Sequence, residues 1–482
     1  MRILLVDIDT LRPDHMGCYG YFRDTTPNID KVAAAGIRFN RYYCPDAPCL
    51  PSRAAMISGM FGIKNGVVGH GGTAADLRLM GAERDFRSQN DTNNLFNVFR
   101  KKGMYTASIS TFPERHSAWW FNSGFHEMHN VGYGGMESGE TVLPVALDWM
   151  NRKGKEDNWF LHLHLWDPHT PYRAPESFGN PFKDKPFTDW IDEAAFKRHL
   201  KAAGPHSLWE LSMYDDKLNP RYPRMPGKAT EYADLRNVFD GYDTGVLYAD
   251  HLVGEVFKRM KELGVYDDCA IIVTSDHGET LGELGIYSEH GNADEATCRI
   301  PMIVKWPGSP AGKIDNQFRY NLDLAPTMAE ALGVKAYEKW DGKSYASVLT
   351  SGEGPGRDSV VISQMAHVCQ RAARFDDWIY IRTYHDGYHL FDREMLFNLK
   401  DDPHEQHDVK EKYPELCARG AKIILDWHDE MMLSSESQAD PLWTVLKEKG
   451  PYHTWGHLPE YLKRLEATGR ADSADALRKK YP

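Results

Sequence analysis

The 482-residue sequence has few cysteines, no long apolar run and no excess of positive charge. Seven cysteines, an odd number without paired spacing, exclude the disulfide framework on which small secreted domains depend. No uninterrupted apolar stretch approaches the roughly 20 residues that a membrane-spanning helix needs. A net charge of −12 excludes nucleic acid as a partner, because that partner is normally met by a basic surface. The same charge cannot steer anions, so any anion site has to be locally positive, built from metal, arginine or histidine. There are no internal repeats and no low-complexity tracts. No charged-then-apolar leader stands at the start. The expected compartment is therefore the cytoplasm, or the periplasm or exterior if a leader has been removed. What is present is ordinary for a globular protein, 41% apolar and 26% charged residues, enough for one large domain and a smaller one.

Ile3-Leu4-Leu5-Val6 reads as a strand buried on both faces of a parallel sheet. It runs into Asp7, Asp9 and Asp14, and the carboxyl ends of such strands are where open α/β sheets hold ligands. The bland alternative is a turn with solvated acids. Thr26-Pro27-Asn28 opens a helix that closes at Gly36, and Arg38 to Tyr43 reads as a strand. That strand delivers Cys49-Leu50-Pro51-Ser52-Arg53, followed by helix-compatible residues as far as Ser58-Gly59. A loop feeding a helix N-terminus favours an anion, and Arg53 adds a fork of donors there. By itself the run fits a structural thiol equally well.

Asn158 to Trp166 alternates, with Leu161, Leu163 and Leu165 facing one way and His162, His164 and Trp166 the other. It ends in Asp167-Pro168-His169-Thr170-Pro171-Tyr172. A long amphipathic helix stops at Gly264, and the strand Cys269 to Val273 then delivers Ser275-Asp276-His277-Gly278-Glu279. An Asp-His pair at a strand end offers a hard oxygen and an imidazole to one cation.

Cys-x-Pro-Ser-Arg, followed after four residues by Ser-Gly, resembles the motif of the type I sulfatases in the alkaline phosphatase superfamily. The family's other landmarks follow in order. They are Asp9-Thr10-Leu11-Arg12-Pro13-Asp14 with Gly17-Cys18-Tyr19-Gly20, the Pro168-His169-Thr170-Pro171-Tyr172 run, the Ser275 to Glu279 segment, Pro301 to Gly308, and Leu396 to Glu405. The resemblance therefore spans most of the chain. It implies that a formylglycine-generating enzyme, reading Pro51, Ser52 and Arg53, oxidises Cys49 to formylglycine, whose hydrate is the nucleophile.

The resemblance also implies one divalent cation held by Asp9, residue Cys49 in its oxidised form, Asp276 and His277. Ca2+ is the first choice for mostly hard oxygens. The histidine, and Thr10 where many members carry a second Asp, keep Mn2+, Mg2+ and Zn2+ open, with Asp7 or Thr10 as a further contributor. The family's Lys-x-His pair is absent, and His116, beside Arg115, is its nearest substitute. His169 is implied to contact the ester or protonate the leaving oxygen. His290, in Glu289-His290-Gly291-Asn292, stands where relatives often carry a sulfate-binding Lys and is assigned as a general acid. The expected catalytic set is Cys49, Arg53, His116, His169 and His290. His70 is held only as a substrate contact, against the commoner reading of a solvated loop histidine.

The expected fold is α/β, a large mixed, mostly parallel sheet flanked by helices over residues 1–355. A smaller C-terminal α+β subdomain, 356–482, begins at the Gly/Pro-rich stretch 351–356. Its antiparallel strands are read at Ser359 to Ser363, Trp378 to Thr383 and Tyr388 to Phe391, and its helix at Pro414 to Met432. Residues 174–232 read as an insertion on the ligand face, and residues 433–482 carry no family pattern. The expected activity is hydrolysis of sulfate esters on imported mono- or oligosaccharides, with a sugar ring stacked on Trp119, Trp120 or Trp166. The alternatives are a phosphonate monoester or phosphodiester hydrolase and, in a different class, a catalytically silent carbohydrate-binding relative. No nucleic-acid or membrane partner is expected, and homo-oligomerisation is left open.

Overall fold

Side-chain parity along the strands decides where the chemistry lies. The computed structural model describes residues 1–77, 90–435 and 439–482. In the strand Arg2–Ile8, residues Leu4, Val6 and Ile8 enter one hydrophobic core, while Ile3 and Leu5 enter another on the opposite face. Asp7 shares the parity of Ile3 and Leu5. In Trp159–Leu165 the leucines join the first core, whereas Phe160 joins the second, with His162 and His164 in phase with it. In Cys269–Thr274, Ala270 and Ile272 face the second core, and Asp276 continues that parity beyond the strand end. Three neighbouring strands thus present their polar residues to one face.

These strands lie at the middle of an eight-stranded sheet. Its order is Lys313–Asp315, Ile37–Phe39, Met302–Lys305, Cys269–Thr274, Arg2–Ile8, Trp159–Leu165, Tyr105–Ile109 and Glu127–His129. The pairing is parallel except where Met302–Lys305 runs against its two neighbours. The helix Leu235–Glu262 covers the first face, together with Gly139–Lys153 and Pro27–Ala34. The second face carries the helix Cys49–Ser58, with Leu95–Lys101 and Leu324–Leu332 behind it. This is the expected mixed α/β sheet with helices on both sides. No helix among the described residues is long and apolar enough to cross a membrane.

A second sheet of five strands runs in the order Glu394–Asn398, Trp378–His385, Cys369–Phe375, Ser359–Gln364 and Asp46–Ala47. Its last member comes from the N-terminal part of the chain and pairs parallel to Ser363 and Gln364. The C-terminal sheet is therefore fastened directly to the segment that precedes Cys49. The helix Pro414–Ser434 packs on this sheet.

Two expectations are corrected here. The expected strand at Arg38 to Tyr43 is two short strands, Ile37–Phe39 and Tyr42–Tyr43. Tyr388 to Phe391 is no strand, since Tyr388 and Leu390 adopt left-handed backbone angles (φ 76° and 59°) that break an extended ladder. The strand that follows Trp378–His385 is Glu394–Asn398, and Cys369–Phe375, whose two arginines and a glutamine hide its apolar alternation, is a further strand without a sequence expectation.

Residues 458–470 dock on the 174–232 insertion. Arg464 and Arg470 both pair with the buried carboxylate of Glu210, and the Tyr461 hydroxyl bridges the backbone of Gly204. The segment without a family pattern is thus held against the ligand face.

Candidate active site

Cys49 is the first residue of the helix Cys49–Ser58 and is buried, 1% exposed. The sequence placed it in a surface loop; it sits instead at the floor of the site. Ser52 Oγ donates to the backbone carbonyl of Asp276 (2.6 Å) and accepts from Asn321 Nδ2 (2.9 Å), which locks the helix start against the strand end. Gly278 keeps the turn after Asp276 and His277 tight, because a Cβ there would lie 2.0 Å from the Ala296 carbonyl oxygen.

Arg53, one turn along the helix, is wholly buried. Its Nε and Nη2 reach Asp7 at 3.0 and 3.1 Å, Nη1 reaches Asp9 at 3.1 Å and also Asp276, and Nη2 donates to His164 Nε2 at 2.8 Å. The expected sulfate contact from Arg53 is corrected by this geometry. Its fork is spent on the carboxylates, so it positions them and offsets their charge from below. Asp7, offered as a further metal contributor, is committed to Arg53 and His162. Burial opposes its charge, but these partners outweigh that and hold its carboxyl well below the usual range. Arg53→Met should leave three buried carboxylates short of a counter-charge and cost about 3–5 kcal/mol. Thermal unfolding at constant metal concentration reads this as a large drop in Tm.

Above Arg53 the donor atoms of Asp9, Asp276 and His277 all lie within 4.8 Å of one another. His277 Nε2 stands 3.9 Å from Asp9 Oδ1 and 3.3 Å from Asp276 Oδ2. His277 Nδ1 faces the Gly278 carbonyl at 2.8 Å. A carbonyl only accepts, so Nδ1 carries the proton and Nε2 presents its lone pair. Asp9 Oδ1 and His277 Nε2, both buried, have no hydrogen-bond partner among the described residues. Converging buried lone pairs of this kind fit a divalent cation. Burial, with Asp9 alongside, raises the Asp276 pKa to about 6 despite Arg53. Thr10, in the place of a second Asp, has a buried hydroxyl oxygen without a partner among the described residues.

Cys49 Sγ lies 3.4 Å from His116 Nε2 and 3.6 Å from His70 Nε2. Burial, with Asp9 and Asp276 near, pushes the thiol pKa well up against the pull of Arg53, so the thiol stays protonated. Burial also pushes both imidazoles well down, helped by Arg115 and Arg53 for His116 and by His116 and His453 for His70. His169 Nε2 lies 3.9 Å from Asp9 Oδ1, and its ring centroid is 5.0 Å from that of His290, which in turn is 4.2 Å from His277. The fold therefore brings Cys49, His116, His169, His290 and the three cation donors to one place. His162 and His164 are satisfied inside the sheet by Ser108 and Ser110.

Trp166 does not reach this place as a sugar platform. It is fully buried beneath the guanidinium groups of Arg53, Arg115 and Arg173. Trp120 packs on the core, and Trp119 is 69% exposed.

Several residues on the same wall carry no sequence motif. His453, from the C-terminal segment, holds His70 Nδ1 through its Nε2 at 3.0 Å and stacks on His367 with ring centroids 4.0 Å apart. His206 arrives from the insertion and meets Glu289, which with Glu279 lies beside His290 in runs already marked in the sequence. The one sequence signal of His206, His367 and His453 was a high histidine content, 21 in all.

The family model described as Sulfatase matches residues 2–334, and one described as N-sulphoglucosamine sulphohydrolase, C-terminal, matches residues 282–422. An N-acetylglucosamine-6-O-sulfatase of Bacteroides thetaiotaomicron is 24% identical over 477 residues, which covers 85% of this chain and 82% of that protein. A multifunctional alkaline phosphatase superfamily protein, PehA of Trinickia caryophylli, is 25% identical over 412 residues, covering 73% and 77%. Among solved structures, the phosphonate monoester hydrolase of Agrobacterium radiobacter superposes with a TM-score of 0.70 at 20% identity, over 93% of this chain and 99% of that one. BT4656 in complex with its substrate D-glucosamine-2-N,6-O-disulfate superposes with a TM-score of 0.69 at 20% identity, over 91% and 99%. These superpositions establish the alkaline phosphatase-like fold. Because the Sulfatase match takes in more than half of the residues, Asp9, Cys49 and the Asp276-His277 pair among them, the chain belongs to the sulfatase family of sulfate ester hydrolases.

Proposed function

We propose that the chain is a formylglycine-dependent sulfatase acting on sulfated mono- or oligosaccharides, with one divalent cation at Asp9, Asp276, His277 and the modified residue 49. The observation that carries this reading is the setting of Cys49. Its thiol is buried and kept protonated, which makes it a poor nucleophile as it stands, yet it heads the helix beside the cation donors with two imidazole nitrogens within 3.6 Å. The intact donor set speaks against a catalytically silent relative.

The cation, when bound, would polarise the sulfate oxygens and offset the carboxylates. The oxidised and hydrated side chain at 49 would supply two hydroxyls, one to form the bond to sulfur and one to expel sulfate afterwards. His116 and His70 flank that position as neutral bases able to accept its proton. As the bond between sulfur and the sugar oxygen breaks, that oxygen would take up the proton given up by residue 49, relayed through Nε2 of His169, whose Nδ1 hydrogen is held by the Thr170 carbonyl. His290 lines the wall next to His169, and Arg53 keeps Asp9 and Asp276 in place. Two carboxylates favour Ca2+, while the imidazole keeps Mn2+, Mg2+ and Zn2+ in play.

Two relatives point to sugars, the N-acetylglucosamine-6-O-sulfatase and BT4656 with its glucosamine disulfate. The net charge of −12 disfavours long polyanions. Trp119, exposed three residues after His116, is the available stacking surface. Trp119→Ala should raise KM for a sulfated disaccharide about 2- to 10-fold at unchanged kcat, as expected for loss of one ring contact, and leave a nitrophenyl sulfate unaffected. Equal effects on both substrates would remove Trp119 from the sugar site.

The likeness to a phosphonate monoester hydrolase, with Thr10 in place of a second Asp, supports a second reading as a phosphonate monoester or phosphodiester hydrolase. Two measurements on one preparation separate the readings. Mass spectrometry of the peptide spanning residue 49, after co-expression with a formylglycine-generating enzyme, should show thiol-to-aldehyde conversion. Turnover of sulfate esters should then exceed that of matched phosphonates. Full activity from an unconverted thiol would refute the formylglycine mechanism, and a reversed ester preference would favour the second reading.

A further inference from the structure

We propose that Glu289, His290 and His367 form a second, zinc-class metal site, distinct from the cation position at Asp9, Asp276 and His277 and braced by His206. All four side chains are buried, none more than 5% exposed. Glu289 sits at the centre. Its Oε1 lies 3.1 Å from His290 Nε2 and 3.6 Å from His367 Nε2, and its Oε2 lies 2.6 Å from His206 Nε2. Donor atoms around a tetrahedral zinc, each about 2.0–2.1 Å from the metal, stand about 3.3 Å apart. The separations to His290 and His367 bracket that value, and the donors of Glu289, His290 and His367 all fall within 4.8 Å of one another.

Two details favour a metal over a plain ion-pair cluster. His206 Nε2 stands against Glu289 Oε2 at 2.6 Å, which leaves Oε1 to face His290 and His367. Then, His290 turns Nδ1 toward a second buried carboxylate, Glu279 Oε2, at 3.4 Å, which leaves Nε2 facing Glu289. A carboxylate behind an imidazole is the usual outer support of a metal-bound histidine.

The three imidazoles come from separate parts of the chain, the insertion, the strand end after Tyr287 and the C-terminal sheet, so only the completed fold assembles the set. Two nitrogens and one oxygen, with a fourth position left for water, suit zinc, whereas the oxygen-richer first position suits harder ions. The inference does not depend on which ester is cleaved.

The test is zinc stoichiometry in the full-length chain carrying Cys49→Ala, which removes the thiol as a competing zinc ligand beside His70 and His116. After chelation and dialysis against Zn2+, elemental analysis should give two equivalents. Adding Asp276→Ala should leave one, adding Glu289→Gln or His367→Asn should leave one, and combining Asp276→Ala with Glu289→Gln should leave none. Co2+ loaded into the Asp276→Ala chain should show the intense visible bands of a tetrahedral site, and these should vanish with Glu289→Gln. Circular dichroism checks that each variant is folded, and His367→Asn serves if Glu289→Gln is not. A single equivalent in the starting chain that Asp276→Ala removes overturns the proposal. So does retention of both equivalents in Glu289→Gln and His367→Asn, or loss of the second with His453→Asn but not with Glu289→Gln.

Discussion

Replacing Cys49 with alanine should abolish ester hydrolysis, a loss on the order of 10⁶-fold if residue 49 carries the nucleophile. The fold should survive, because alanine is the best helix former and only one sulfur atom leaves the buried helix start. The control is the cation. Asp9, Asp276 and His277 stay in place without the side chain at 49, so the cation should still bind at saturating concentration, more weakly for the loss of one donor, while turnover disappears. Steady-state kinetics with a nitrophenyl sulfate, beside elemental analysis of the same sample, makes the comparison. Residual activity within tenfold of the parent chain would mean that residue 49 is not the nucleophile, and the site would need another one.

Asp276→Ala should remove the cation and lower kcat/KM by roughly 10²–10³ or more, the scale for losing a charge-stabilising element. Active enzyme without stoichiometric metal would sink the assignment. A pH signature accompanies it in the metal-free protein. The folded-state pKa of Asp276 is raised to about 6 from an ordinary 3.8, first by burial and then by Asp9. A carboxyl raised in this way favours folding while protonated. Its contribution is fully present below 3.8 and is lost as pH rises through about 6. Chelated protein should therefore be less stable at pH 7 than at pH 5, and added cation should restore stability mainly at the higher pH. Thermal unfolding at both pH values, with and without chelator, reads the difference.

Much of this site was legible in the sequence because its residues sit in local motifs. Asp9, Cys49, His169 and the Asp276-His277 pair each stand at a strand end or a helix start, where spacing and neighbours mark them. What spacing cannot mark is the direction of a side chain whose partners are distant. Arg53 looked like a substrate contact because arginine beside a nucleophile suits an anion. The fold turns it inward, since the parity of Asp7 and Asp276 delivers carboxylates to the underside of its helix. Trp166 was offered as a sugar platform, but the same parity that placed His164 on the inner face buried Trp166 as well. His206, His367 and His453 belong to no run that reads as chemistry; tertiary contacts alone bring them to the wall. The C-terminal strands were half legible, since Cys369–Phe375 carries polar residues at positions that a simple apolar alternation would miss.

The distance along the chain between Cys49 and the residues that close over it has a consequence in time. The helix Cys49–Ser58 lies beside a sheet finished by Ser359–Gln364, and the wall above it is completed by His453. Synthesis proceeds at about 5–20 residues per second, so about 400 residues, or roughly 20–80 s, separate the emergence of residue 49 from that of its last neighbour. Throughout that interval the thiol cannot be enclosed as it is in the finished molecule, and a visiting enzyme can reach it. Once Cys369–Phe375 and the segment around His453 are in place, the same thiol is 1% exposed and out of reach. If residue 49 is modified as proposed, the order in which the chain is made sets an early window for that chemistry, before the wall closes over the thiol.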